Sequence, residues 1–154
     1  MTKLTMILAL CLIGASLSAQ TGLFDLRFAM PLSEADSLLQ SKGFEASGDS
    51  LSHRAYQIPG HMYLRAIYLV PDLNAEKLAG WVVCYDTLQA GAELIEQMTV
   101  GSLITFHDVG FDRDGDRFVW DLSEYRWVVA YFDATREHYL VEYHDSDAAT
   151  WEYY

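Results

Sequence analysis

Three aspartates stand at alternate positions in "GFDRDGDRFVW", residues 110–120: Asp112, Asp114 and Asp116. Carboxylates at that spacing are hard oxygen donors, and the chemistry they suggest is calcium binding. An EF-hand loop places oxygen ligands at positions 1, 3 and 5, glycine at 6 and a bidentate glutamate at 12. Counted from Asp112, position 6 is Arg117 and position 12 is Ser123, with Glu124 one place late. A cation thus stands where the calcium loop must turn. Gly115 follows Asp114 instead, and Asp-Gly between strand-like runs is a hairpin signal, with Asp114 and Gly115 expected at the centre of a type I′ turn. The related stretch "GFEASGD", beginning at Gly43, keeps the glycine but only Asp49 of the three aspartates. A turn needs the glycine, whereas a metal site needs the acids. The reading is therefore a turn, with calcium at Asp112, Asp114 and Asp116 as the alternative and no other cofactor expected.

Other reactive side chains are scattered. His138, Glu142 and His144 share one strand parity in "HYLVEYH". A straight strand rises about 3.3 Å per residue, so His138 and His144 lie about 20 Å apart and cannot grip one ion. The three are read as a solvated strand face. His53, His61 and His107 have no metal-ligand spacing. Cys84, in "GWVVCYD", reads as a small buried hydrophobe, the alternative being a nucleophile or an intermolecular bridge. The sequence contains no Gly-x-Ser-x-Gly, no His-Glu-x-x-His and no phosphate loop.

The N-terminus reads as an export leader. Lys3 supplies the charge, "MILALCLI" over residues 6–13 the apolar stretch, and Ser16, Ser18 and Ala19 the small residues before cleavage. Cleavage is expected after Ala19, leaving one domain over residues 20–154, periplasmic or extracellular and soluble. Cys11 follows Leu10 rather than a small residue, so lipid attachment is not expected. Removal of residues 1–19 takes away one lysine and no acid, from a chain whose net charge is −12. Such a surface repels phosphate backbones and anionic lipid, so nucleic acid is not expected as a partner. The apolar run of residues 6–13 is too short to span a bilayer as a helix, so no membrane span is expected. A basic protein, a cation or a neutral ligand suits it better. Cys84 alone remains after cleavage, so no internal disulfide forms.

The elements that must position these residues are α+β. "LFDLRFAM" alternates with Phe24, Leu26, Phe28 and Met30 on one parity, and reads as a half-buried strand. Ser33 is expected to cap a helix with Ala35, Leu38 and Leu39 inward and Gly43 at its end. "YLRAIYLVPD" and "LAGWVVCYD" are expected strands joined by the polar "DLNAEK". A second helix is expected in "TLQAGAELIEQM" on Leu88, Ala92 and Ile95, and three strands around "DRFVWDL", "RWVVAYFD" and "HYLVEYH". The parts recur. Gly43, Phe44, Gly48 and Asp49 match Gly110, Phe111, Gly115 and Asp116, and "WVVCYD" is similar to "YLVEYH". Two halves, about 20–86 and 87–154, each read as a helical segment, a hairpin-like arm and two long strands.

This pattern, above all "FAMPLSEADSLLQSKGF" followed by "YLRAIYLVPDLNAEKLAGWVVCYD", resembles the repeated unit of the β-lactamase-inhibitor-protein fold, shared with small lipoproteins of outer-membrane assembly. The resemblance implies an antiparallel sheet with helices on one face, built from tandem halves. The chain lacks a lipobox and paired cysteines, so the resemblance implies architecture and no functional residues.

The function expected is that of an exported, non-enzymatic binding module whose partner is a protein of the cell envelope or medium. The alternatives are a calcium-stabilised extracellular domain and a hydrolase without a recognisable motif. In "YRWVVAYFD" both parities are apolar, and helices on one face cannot cover both. Trp127, Tyr131 and Phe132 are the residues expected to face a partner, since exposed apolar patches and aromatic residues mark interfaces. The C-terminal "WEYY" folding back over the patch is the competing possibility.

Overall fold

A computed structural model describes residues 21–49 and 53–148. The segment read as an export leader, residues 50–52 and the "WEYY" segment lie outside the described residues. Helix α1 (Leu32–Ser41) precedes strands β1 (Glu45–Asp49), β2 (Arg54–Gln57), β3 (Leu64–Pro71) and β4 (Leu78–Asp86). Helix α2 (Ala92–His107) precedes β5 (Asp112–Asp114), β6 (Arg117–Asp121), β7 (Arg126–Asp133) and β8 (His138–Asp145). All eight strands form one antiparallel sheet in the order β1-β2-β3-β4-β8-β7-β6-β5. The protein is α+β, two helix-plus-four-strand units whose last strands, β4 and β8, pair at the centre with Val83 opposite Val141.

The strand alternation fixes the two faces. Trp81, Val83, Tyr139, Val141 and Tyr143 join Leu32, Ala35 and Leu39 of α1 and Ile95 and Leu103 of α2 in one buried cluster. Both helices therefore lie on one face of the sheet. Trp81 stacks on Tyr143 across the β4–β8 pair, with ring centroids 4.1 Å apart and planes 12° from parallel. Asp36 of α1 accepts from Arg54 at 2.6 Å and from the Tyr56 hydroxyl, which ties the helix to β2.

Three elements differ from the sequence expectations. "LFDLRFAM" is not a strand. Leu26, Phe28 and Met30 are buried as the alternation required, but Phe24, Asp25 and Ala29 adopt positive φ and Leu23–Asp25 form a single 3-10 turn. The segment is a strap in the core, held by the Leu23 N–H donating to the Tyr143 hydroxyl at 3.0 Å. Helix α1 starts at Leu32 behind Pro31, with no side-chain cap, so Ser33 lies inside it. Its end is as expected: Gly43, at φ 88°, donates to Gln40 O, and Phe44 donates to Leu39 O, the paired bonds of a Schellman motif. Helix α2 begins four places later than Leu88 and extends to His107. Residues 87–90 turn instead, because Asp86 accepts from the Leu88 N–H and the Thr87 hydroxyl donates to Glu137 O.

Candidate binding face

On the sheet face away from the helices, strand register brings together residues distant in sequence. Tyr68, Val82, Glu142 and Val129 form one row across β3, β4, β8 and β7; Ala66, Cys84, Leu140 and Tyr131 form the next. Ala66, Val82, Cys84 and Leu140 make a small buried cluster with Tyr68 and Tyr131 packed against it. With strands about 4.8 Å apart and two residues of about 3.4 Å between the rows, the two tyrosines stand about 16 Å apart across the face, on either side of a floor of short side chains.

One polar network crosses this face. The Tyr131 hydroxyl donates to Glu142 Oε1 at 2.7 Å, and His144 Nε2 lies 2.8 Å from Glu142 Oε2. Trp127 stacks on the His144 imidazole, 5.0 Å between centroids and 7° between planes. The Arg117 guanidinium sits over the Tyr131 ring at 4.9 Å. Burial alone would push the Glu142 carboxyl up. The hydrogen bonds from His144 and Tyr131 and the nearby Arg117 charge outweigh burial and hold it below its ordinary value. Burial and the Glu142 carboxylate raise the Tyr131 phenol, so it stays a donor. The arrangement is an ionised carboxylate fixed between aromatic rings, suited to holding a cationic or hydrogen-bond-donating group.

Trp127 and Tyr131 lie on this face, but Phe132 has the opposite parity, pairs with Tyr139 and reaches solvent only at the sheet's end, 37% exposed. There an open groove of about 590 Å³ brings Asp114, Asp116, Tyr131 and Phe132 together, with Asp133 and Arg136 on its wall. The sequence had placed the aspartates and the aromatic residues in separate motifs; the β5–β6 hairpin joins them. Asp112 and Trp127 stand outside that groove. The hairpin itself corrects the turn. Asp114 pairs with Arg117, so the two loop residues are Gly115 and Asp116, one place later than expected. Positive φ occurs at Gly115 (60°) but not at Asp116, the pattern of a type II′ rather than a type I′ turn. Among the described residues, no three His, Cys, Asp or Glu side chains converge to hold a metal ion.

The remaining reactive groups serve the fold. Cys84 is buried, and burial pushes its thiol up to about 11, so it carries no thiolate at neutral pH. His107 Nε2 lies 3.0 Å from the Tyr143 hydroxyl. That hydroxyl already accepts from Leu23, so its proton points to His107, which burial holds neutral with its pKa lowered to about 4. His61 Nδ1 accepts from the Tyr63 and Leu64 N–H groups. Burial, then the Arg65 charge, lower His138, at the far end of β8 from His144. The Glu142–His144 pair is what the sequence reading missed, having read both as solvated. Their shared parity with each other was visible, but the cross-strand partners Val129 and Trp127 were not. Compared with known proteins, the chain matches no family model, no curated protein and no solved structure, so its function rests on this geometry.

Proposed function

We propose that the chain is an exported, non-enzymatic binding module that holds a protein partner on the sheet face opposite its helices. The observation carrying this reading is the linked group of Trp127, His144, the half-buried, ionised Glu142 and Tyr131, with Tyr68 across the apolar floor from it. Aromatic rings give contact area at low entropic cost, and a fixed carboxylate selects a Lys or Arg side chain over an apolar one. The carboxylates of Asp114 and Asp116 at the adjoining groove, and the net charge of −12, favour a basic partner through long-range attraction.

The test is to immobilise the protein, expose it to envelope and medium fractions, and repeat with Trp127→Ala and Tyr131→Ala. Both side chains are half-buried, so each variant is expected to melt within a few degrees of wild type and to lose most of the captured partner, more so at low salt. A loss of roughly 3–5 kcal/mol of stability in both variants marks them as core instead, and the face is then not the site.

A further inference from the structure

The two helices occupy equivalent places in the two units, yet their solvent sides differ. On α1 the exposed residues are Ser33, Glu34, Ser37, Gln40 and Ser41, as expected of a helix facing water. On α2 they include Leu94, Met98 and Phe106, respectively 44%, 52% and 44% exposed, with Leu88 and Val109 standing out at either end. Between Glu96 and Asp108 the α2 sequence "QMTVGSLITFH" holds no acidic, Lys or Arg residue, on a chain of net charge −12. The hydroxyls on this side are spent within the helix: Ser102 donates to Met98 O at 2.9 Å and Thr105 to Gly101 O at 3.1 Å. The middle of this surface offers a polar ligand little and an ionic partner nothing.

We propose that the outer side of α2 is the contact between two copies of this chain. The spacing is that of a helix–helix seam. Leu94, Met98, Gly101 and Thr105 recur at alternating steps of four and three, the repeat by which two helices interdigitate. The stripe is nearly symmetric about Gly101 and Ser102, with large side chains outward on both sides of a small centre. A twofold axis at that centre brings Met98 against the partner's Thr105, and Leu94 toward the partner's Val109. Gly101 leaves the centre open, since a Cβ built there meets nothing within 4 Å. Charge argues for a like copy rather than a basic partner: no carboxylate lies in the middle of the stripe to attract one, and two acidic chains can approach only where neither presents charge. Glu93 and Asp108 flank the stripe, so the copies repel at its ends. Association is therefore expected to tighten as salt rises, the reverse of an ionic contact. One helix side is a small interface, so the dimer forms in a concentration-dependent way.

Sedimentation velocity across a concentration series, at low and high salt, tests this. Wild type is expected to pass from monomer to dimer, at lower concentration in high salt. Met98→Glu is expected to remain monomeric throughout with an unchanged melting temperature. Leu73→Glu makes the same change of charge at a 78% exposed loop residue and is expected to dimerise like wild type. A wild-type protein that stays monomeric up to roughly 1 mM overturns the proposal. So does a dimer that survives Met98→Glu, or one that loosens with salt. Partner capture by Trp127 and Tyr131 is read separately, so either result stands without the other.

Discussion

Gly22 is a single residue on which the packing of the central strands depends. Its Cα lies against the Trp81–Tyr143 stack, and a Cβ there would fall 2.3 Å from the Tyr143 ring and 2.6 Å from Trp81. Neither ring can yield, because each is fully buried. Gly22→Ala is expected to cost about 1–3 kcal/mol through overpacking, read as a lower urea midpoint with unchanged slope. A variant melting like wild type means the strap is not seated on the stack. The same tyrosine contacts His107, whose pKa burial lowers. The folded pKa of about 4 lies below the free value of 6.5, so His107 binds a proton more readily in the unfolded chain. Its contribution is complete above about pH 6.5 and is lost as pH falls toward 4. The ring is only half-buried, so solvent screening reduces the loss to roughly 1–2 kcal/mol. Difference melting of wild type against His107→Gln from pH 7 to 4 is expected to narrow as pH falls. Parallel curves would mean that His107 is not held neutral by the fold.

Among the elements, the β5–β6 hairpin fixes where the three aspartates stand. Asp112 and Asp114 lie on a three-residue edge strand and Asp116 in its turn, all exposed. Melting with calcium and with chelator is expected to superimpose; an ion bound only by the folded state at a hundredfold excess would add about 2.7 kcal/mol. An upward shift removed by Asp112→Asn with Asp114→Asn would mean that the carboxylates close on an ion. The elements also mark how far the sequence could be read. β4 was legible because a strand buried on both faces is a continuous apolar run, as "LAGWVVCYD" is, and β3, β7 and β8 because β-branched and aromatic residues crowd them. The strap was misread because alternation reports burial, whereas positive φ at Phe24, Asp25 and Ala29 is imposed by what the segment packs on. Helix α2 was cut short because its apolar residues surround it, so the inward stripe of Ile95, Thr99 and Leu103 does not stand out. Parity placed Trp127 and Tyr131 on one face. The Glu142–His144 link needed the β7–β8 register, and the groove at Asp114 needed the whole hairpin.

At the scale of the whole molecule, the mirrored strand order puts the last strand of each unit at the centre and the short, polar β1 and β5 at the rims. Each rim resists addition of a further strand. β5 is three charged residues, and β1 carries a register irregularity between Ala46 and Gly48. Along the described residues no helix is long and apolar enough to cross a membrane. The central pairing has a consequence in time. β4 is made early, and its partner β8 comes more than fifty residues later and near the end of the described chain. At about 5–20 residues per second, the ribosome leaves β4 for seconds as a bare, sticky edge with no neighbour on one side. During that interval the chain is most prone to join another copy by the wrong strand, so a holding chaperone would matter most between the synthesis of β4 and that of β8.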